Sequence, residues 1–155
     1  MALEIINAIR GSEDEALRSY KYTGQDYDLL QNNGSKLLFV TYGREFAQVL
    51  KAVQQLREEG IACDILKLNK ITPIGCEVVN LASSYSAVLF AEEGILNGGI
   101  AQQMLSHMHA AGFSGNARIH AIENGIVKQS SVSRQLELLK LDSASLYQSA
   151  KEMLV

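Results

Sequence analysis

Two adjacent carboxylates, Glu92 and Glu93, follow an apolar run and are the first residues of this chain that suggest chemistry. Acid–base catalysis by a carboxylate pair requires the two groups to face each other or a common substrate. Neighbouring residues on a strand point to opposite faces, so this pair does not fit a glycosidase or an aspartic-protease arrangement. Either one of them serves a site at the end of its strand, or one caps or pairs locally while the other lies in solvent.

Three glycines follow the acids in the stretch FAEEGILNGGIAQQM, which joins the apolar run to a predicted helix. Gly94, Gly98 and Gly99 have neither the spacing of a dinucleotide-binding GxGxxG motif nor the GK[ST] ending of a P-loop. Asn97 and the two glycines after it leave two interpretations open. The backbone N–H groups at the helix start could bind an anion, or the glycines could let the helix approach the sheet or another subunit closely. We favour the second interpretation, which is contact and not chemistry.

The other chemically competent side chains match no recognised catalytic or metal-binding pattern. His107 and His109 are two residues apart on a predicted helix and point about 200° apart, whereas metal ligands on one helix need i, i+4 spacing. His120 alternates with apolar residues, and we expect it at a strand end or on the surface. Tyr42-Gly43 ends an earlier apolar run, where the glycine lets the chain turn beside a ligand crevice.

Composition limits the class of protein. The 155 residues suit one domain, and 47% hydrophobic with 20% charged residues is typical of a globular protein. A net charge of −3 without a basic block argues against nucleic acid or an anionic membrane as the main partner. No apolar run is long enough for a membrane span, and the first residues do not resemble a secretion signal. Cys63 and Cys76 are not a CxxC pair, so we expect buried or half-buried free thiols in a cytoplasmic protein.

Two periodicities alternate from residue 35 onward and predict a parallel α/β domain. Short apolar runs indicate buried strands, and apolar residues at i, i+3 and i+4 between them indicate helices. The predicted strands are Leu37–Tyr42, Ile61–Leu68, Ala87–Glu92 and Ala117–Ile122. The predicted helices cover Phe46 to Leu56, about Gly75 to Ala82, Ile100 to Ala111, Val132–Leu139, and a last segment that starts near Asp142 and buries Leu146, Ala150, Met153 and Leu154. Strands and helices that alternate in this way form a parallel sheet with helices on both faces.

Residues 1–34 do not follow this pattern. EIINAIR, Glu4 to Arg10, is strand-like, but the segment after it is polar, and only YDLL predicts a short edge strand before a turn at Asn32–Gly34. We expect residues 1–34 to be the remnant of a preceding domain, a linker and an edge strand. Residues 35–155 are expected to form the α/β domain, and the whole chain is expected to be a fragment of a longer enzyme.

Three stretches of the sequence resemble the C-terminal domain of the transketolase superfamily. They are VTYGREFAQVLKAVQQLREEGIACDILKLNKITPI, AVLFAEEGILNGGIAQQML and NGIVKQSSVSRQLELLKLDSASLYQSAKEML, and the likeness covers about Tyr20 to Leu154. Tyr42-Gly43, Pro73, Glu92-Glu93 and Gly98-Gly99 stand in the family's order. Within the superfamily the sequence is most similar to the 1-deoxy-D-xylulose-5-phosphate synthases, whose preceding domain ends in a segment similar to EIINAIRG.

The resemblance implies a three-layer α/β/α domain around a five-stranded mixed sheet. Its strand order is 1-3-2-4-5, with strand 1 antiparallel to the rest. In this sequence the five strands are YDLL, LLFVTY, IACDILKL, AVLFAE and ARIHAI. The order reverses beside strand 2, at the topological switch point where ligands of open α/β sheets usually bind. The candidate switch-point or interface residues are Tyr42, Gly43, Glu92, Glu93, Asn97, Gly98 and Gly99.

The resemblance also implies a function. The parent synthases condense pyruvate with glyceraldehyde 3-phosphate and release carbon dioxide in isoprenoid precursor biosynthesis. Their thiamine diphosphate and magnesium are bound by the two preceding domains, so this chain is expected to hold no cofactor and to be inactive alone. It is expected to support a homodimer and the domains around the active site. The family often has Glu-Glu-Asn where this chain has Glu92-Glu93-Gly94, and no function is carried over to Glu123-Asn124-Gly125.

Two alternatives remain open. The chain could belong to another transketolase-like enzyme, either as a domain or as a separate subunit that completes an enzyme encoded in pieces. It could also be a stand-alone module that binds a nucleotide or another anion at the Gly94–Gly99 turn.

Overall fold

The computed structural model describes residues 20–31, 34–123, 127 and 129–154. Within these ranges the strands are β1 (Tyr27–Leu30), β2 (Leu37–Tyr42), β3 (Cys63–Leu68), β4 (Ala87–Ile95) and β5 (Asn116–Ile122). The helices are α1 (Phe46–Glu58), α2 (Cys76–Ser83), α3 (Ile100–Ala110), α4 (Val132–Leu139) and α5 (Ser143–Met153), with a 3₁₀ turn at Gly43–Glu45. None of these helices is long and apolar enough to cross a membrane. The predicted strand at Glu4 to Arg10 and Asn32-Asn33 of the predicted turn lie outside the described residues.

The five strands form one mixed sheet in the order β1-β3-β2-β4-β5. β2 is parallel to both β3 and β4, and β4 is parallel to β5. β1 is antiparallel to β3, with Tyr27 opposite Leu68. The predicted strand order and the single antiparallel edge strand are therefore confirmed.

Alternate residues of the central strand β2 enter two separate cores. Leu37 and Phe39 are fully buried on the face covered by α1 and α5. Leu38 and Val40 are buried on the opposite face, against α2 and α3. Because both faces of the sheet are covered, the strands read as continuous apolar runs, and the predicted three-layer α/β/α architecture is confirmed.

The end of α1 explains where β3 starts. Gly60 has φ +78°, and its N–H donates to the Arg57 carbonyl at 2.9 Å. The next N–H, that of Ile61, reaches back to the Leu56 carbonyl at 3.0 Å. These two hydrogen bonds and the left-handed conformation of Gly60 end the helix. The Ile61 N–H is thereby used by the helix end and is not available to a strand. β3 consequently begins at Cys63, two residues after the predicted start.

Other boundaries also differ slightly from the predictions, and β5, for example, begins at Asn116, one residue before its predicted start. β4 continues to Ile95, because Ile95 pairs with Ile122 of β5 beyond an irregularity in the ladder. Ala111, the predicted last residue of its helix, lies just beyond the end of α3 and is exposed, and Leu154, which was predicted to be buried, is exposed as well. Each of them is the residue that follows the last turn of its helix, where the periodicity that buries the preceding residues ends.

The two cysteines have different environments. Cys63 is buried at the first position of β3, as expected. Cys76 is exposed at the first position of α2, so the expectation of a buried or half-buried thiol is wrong for this residue. A position in the first turn of a surface helix has no second layer of protein to cover it.

A buried carboxylate fixes the edge strand β1 to the sheet. Asp28 accepts hydrogen bonds from the hydroxyl groups of Tyr20 and Thr23 and from Asn69 Nδ2, the last at 2.8 Å. Burial by itself would raise the pKa of Asp28, but these hydrogen bonds and the charge of Lys67 outweigh it and lower the pKa. Lys67 Nζ in turn lies 5.0 Å from the ring centroid of Tyr20, a cation–π distance. The segment before β1 is thereby held against the carboxyl end of β3.

Candidate functional site

The order of the strands reverses at β2, which lies between β3 and β4. β2 and β4 are parallel, and Thr41 lies opposite Ala91 near their carboxyl ends. The residues that follow, Tyr42-Gly43 and Glu92-Glu93, therefore emerge side by side at one edge of the sheet. This edge is the switch point at which open α/β sheets usually form a crevice.

Gly43 turns the chain from β2 into α1. Its φ of +61° lies in the left-handed region that favours glycine. A Cβ at this position would meet no atom within 4 Å, so the requirement for glycine is conformational and not spatial. The turn lets α1 start directly above the end of β2.

Glu92 joins β2, β4 and the start of α3 through one carboxylate oxygen. Its Oε2 accepts a hydrogen bond from the Tyr42 hydroxyl at 3.0 Å and another from the Ala101 backbone N–H at 3.2 Å. The residue is only 2% exposed, and Oε1 has no hydrogen-bond partner among the described residues. Burial, and then the charge of Glu92, raise the pKa of Tyr42, so its hydroxyl stays protonated and donates. We call Tyr42, Glu92, Gly99 and Ala101 the Glu92 interlock.

Gly99 lets α3 approach this carboxylate. A Cβ at Gly99 would overlap both Glu92 Oε1 and the Ile95 carbonyl oxygen, far inside van der Waals contact. A Cβ at Gly94 would lie 3.2 Å from the Tyr42 hydroxyl oxygen, which is tight but less severe. The glycines next to the acids are therefore needed for space around the Glu92 side chain.

The turn between β4 and α3 is closed by side chains of the helix that follows. Gly98 has φ +83°, and its N–H donates to Gln102 Oε1 at 2.7 Å. Gln103 Nε2 donates to the Gly98 carbonyl at 2.8 Å, while Asn97 is exposed. The structure thus brings Tyr42, Glu92 and Gly99 together and leaves Asn97 and Gly98 on the exposed turn.

The amino end of α3 is engaged by groups of its own chain. The Ala101 N–H, which could have met an anion, points at the Glu92 carboxylate. The geometry therefore favours the close-approach interpretation of the glycines over the anion-binding one.

Glu93 has a different partner from Glu92. Its Oε1 accepts from Arg44 Nε at 2.9 Å and from Arg44 Nη2 at 2.6 Å. The Arg44 and Glu93 side chains are 61% and 33% exposed, so this ion pair lies at the surface. The two acids diverge, as strand alternation predicts, and do not form a catalytic pair. The partner Arg44 was not predicted from the sequence.

Glu45 is a second buried acid at this edge, and it was not predicted from the sequence. It is 1% exposed, and neither carboxyl oxygen has a hydrogen-bond partner among the described residues. Burial raises its pKa to about 8, the charges of Glu93 and Asp142 add to this shift, and Arg44 opposes it. Val49 is buried on α1, and a residue four positions earlier lies on the same face of a helix. This spacing places position 45 on the buried face and could have identified Glu45 as a buried acid.

The histidines lie away from the switch point. His107 and His109 are exposed on α3. His120 is half-buried between β5 and α5, with Nδ1 2.9 Å from the Lys140 carbonyl and Nε2 2.8 Å from Ser149 Oγ. Since a carbonyl only accepts, Nδ1 carries the proton, and burial lowers the pKa of His120. Among the described residues no group of three or more His, Cys, Asp or Glu side chains is placed to hold a metal ion.

The five-stranded mixed sheet with its short antiparallel edge strand is the architecture that the resemblance implied. The family model for the transketolase C-terminal domain matches residues 26–146 of the chain, which is more than three quarters of its length. The chain therefore belongs to the transketolase C-terminal domain family.

Comparison with individual proteins shows which enzymes of this family the chain is similar to. The chain is 29% identical over 115 residues to the 1-deoxy-D-xylulose-5-phosphate synthase of Treponema pallidum (strain Nichols), an alignment that covers 72% of this chain and 18% of that enzyme. It is 25% identical over 116 residues to the synthase of the same name from Clostridium botulinum (strain Eklund 17B / Type B), covering 74% and 19%. The chain thus spans under a fifth of the length of these relatives.

A solved structure shares the fold. A split-gene transketolase, described as an inactive β4 tetramer, superposes with a TM-score of 0.73 at 21% identity, covering 92% of this chain and 46% of that one. At this level of identity the match shows the fold alone.

Proposed function

We propose that this chain is the C-terminal domain of a thiamine-diphosphate-dependent 1-deoxy-D-xylulose-5-phosphate synthase, which condenses pyruvate with glyceraldehyde 3-phosphate. The similarity to two such synthases over about three quarters of the chain supports the assignment. A second form of the same proposal is a separate subunit of a transketolase-type enzyme encoded in pieces. The split-gene transketolase that shares the fold is an example of such a protein.

The proposed role is contact and not chemistry. The observation that carries this role is the closed switch point, where Glu92 is buried and its Oε2 is bonded to Tyr42 and to the start of α3. A catalytic carboxylate must reach a substrate, and this one is enclosed by its own chain. In the proposed enzyme the thiamine diphosphate and magnesium are held by the two preceding domains, outside residues 35–155. Residues 1–34 are proposed to connect those domains to the sheet, in a cytoplasmic enzyme.

A reconstitution assay tests whether the two preceding domains hold the cofactors while this chain supplies only structural contacts. The 155-residue chain is supplied with thiamine diphosphate, magnesium, pyruvate and glyceraldehyde 3-phosphate, alone and together with a polypeptide that carries the two thiamine-binding domains. We expect carbon dioxide release and product formation only in the mixture or in the fused chain. Turnover by the 155 residues alone would overturn the proposal. Turnover in the mixture with other ketose donors, but not with pyruvate, would assign the chain to another transketolase-like enzyme.

The surface proposed for contact with a second copy lies beside the Glu92 interlock. Ile95 is 62% exposed at the end of β4, directly before the exposed turn that contains Asn97 and Gly98. Single exposed aliphatic side chains are ordinary on free surfaces, so what distinguishes Ile95 is its position at the switch point beside the exposed glycine turn. We therefore propose that this turn contributes to a homodimer.

Replacement of Ile95 by serine is expected to weaken self-association at least tenfold, because roughly 1.5 kcal/mol of apolar burial would be lost from each copy. Sedimentation or light scattering over a concentration series measures the dissociation constant. Leu138→Ser is the matched control, since Leu138 is also 62% exposed but lies on α4. A strict monomer at high concentration, or an equal effect of both variants, would contradict the proposed surface.

A further inference from the structure

Glu45 is an acid whose position in the fold suits a neutral side chain better than a charged one. Its side chain is 1% exposed, and neither carboxyl oxygen has a hydrogen-bond partner among the described residues. A buried carboxylate without hydrogen bonds or a paired cation is strongly disfavoured, and such a group usually takes up a proton instead. The feature lies in the 3₁₀ turn that connects β2 to α1.

The charged groups that face Glu45 come from three elements. Glu93 on β4 and Asp142 at the start of α5 carry the same charge as an ionised Glu45 and oppose its ionisation. Arg44, in the same turn, is the cation that favours ionisation. Arg44 is already bonded to Glu93 through Nε and Nη2, at 2.9 and 2.6 Å. Asp142 is likewise engaged, since it accepts from the backbone N–H of Ser145 as the cap of α5.

We propose that Glu45 holds the turn between β2 and α1 closed while its carboxyl group is protonated, and releases the turn when the proton is lost. We call this proton-dependent contact the Glu45 catch. In the closed state the Glu45 carboxyl is neutral and buried, and Arg44 pairs with Glu93. When Glu45 loses its proton, the carboxylate moves out toward solvent and competes with Glu93 for Arg44. The proton leaves to solvent, and no covalent bond other than the O–H bond changes.

The sign of the pH dependence follows from linkage. Burial raises the pKa of Glu45 to about 8 in the folded chain, whereas an unfolded glutamate titrates near 4.3. Between these values the folded state holds a proton that the unfolded state has lost. The free energy of unfolding therefore falls as pH rises from about 4.3 to about 8, and this contribution levels off at higher pH.

The catch is joined to the Glu92 interlock by the backbone. Tyr42, which donates to Glu92, is separated from Glu45 only by Gly43 and Arg44. Opening of the turn would therefore move the residues beside the interlock and would break the Arg44–Glu93 pair at the same edge. This response to pH is a property of the domain by itself and does not depend on the proposed enzymatic function.

The direct test is a ¹³C NMR titration of the Glu45 carboxyl carbon in the 155-residue chain. We expect its midpoint well above those of the exposed glutamates, near the value given above. In Glu93→Gln the midpoint is expected to fall, because a like charge is removed and Arg44 becomes free to pair with Glu45. A Glu45 midpoint near the ordinary value of about 4.3 would overturn the proposal. A midpoint that does not change in Glu93→Gln would overturn the exchange of Arg44.

Urea unfolding at about pH 6 and pH 8 gives a second readout. The unfolding constant of the wild-type chain is expected to rise about 50-fold more than that of Glu45→Gln between these two pH values, because about half of the folded molecules have already lost the Glu45 proton at pH 8. Glu77→Gln, a change at an exposed acid on α2, is the matched control and should follow the wild type. Equal pH slopes for wild type and Glu45→Gln would count against the catch. If Glu45→Gln does not fold, the NMR titration of the wild-type chain decides the question.

Discussion

Alanine in place of Gly99 is expected to lower the free energy of unfolding by about 3 kcal/mol or to prevent folding. The added methyl group would overlap Glu92 Oε1 and the Ile95 carbonyl oxygen, and the second of these belongs to the backbone and cannot rotate away. Gly99 has φ −66°, which any residue adopts, so the effect is purely one of space. Urea denaturation followed by circular dichroism measures it.

Gly98→Ala is the matched control for this prediction. A Cβ at Gly98 would meet no atom within 4 Å, but its φ of +83° disfavours a side chain, so a loss of about 1 kcal/mol is expected. The expected order of destabilisation is therefore Gly99→Ala well above Gly98→Ala. The reverse order would show that α3 does not approach Glu92 as closely as described here.

Alanine in place of Glu92 is expected to lower the free energy of unfolding by about 3 kcal/mol. The change leaves the Tyr42 hydroxyl and the Ala101 N–H without their acceptor and opens a cavity between β4 and α3. Glu92→Gln keeps the shape and an acceptor oxygen, so its effect should be about 1 kcal/mol. Chemical denaturation of the three proteins at one pH gives both values.

A double-mutant cycle with Tyr42→Phe separates the Tyr42 contact from the rest of the effect. We expect a coupling energy of about 1 kcal/mol between Tyr42→Phe and Glu92→Ala, because the two side chains share a hydrogen bond. Glu93→Ala is the control, since its ion pair with Arg44 is exposed and should contribute less than about 1 kcal/mol. Equal losses for Glu92→Ala and Glu93→Ala would refute a structural role specific to Glu92.

The main elements of the fold could be predicted because their patterns are local. LLFVTY is buried on both faces of the sheet, and its continuous apolar run therefore predicted both ends of β2 correctly. The start of β3 was less certain, since Ile61 is as apolar as the strand but gives its N–H to the end of α1. The antiparallel pairing of β1 came from the family resemblance, because four residues with two polar or aromatic side chains carry no directional signal.

The candidate site could be predicted only in part, because burial at the switch point depends on residues far apart in the chain. Strand alternation correctly separated Glu92 from Glu93, whereas the exclusion of the standard phosphate loops, which rests on the spacing of the glycines, stays a prediction. Part of the rise in the pKa of Glu45 comes from the charge of Asp142, almost a hundred positions later, and no local pattern brings these two residues together. His120 was predicted to lie at the surface or at a strand end, but it is half-buried. The residue that contacts it, Ser149 on α5, is also distant in sequence.

The short strand β1 also has a consequence for the solubility of shortened forms of this chain. β1 covers the outer edge of β3, whose residues Cys63–Leu68 are mostly buried and apolar. An uncovered strand of this composition presents unpaired backbone N–H and carbonyl groups that other chains can pair with, which leads to aggregation. A protein cut back to begin at Leu37 would keep both cores but would expose that edge. Residues 20–30, held in place through Asp28, are therefore expected to protect the domain against aggregation.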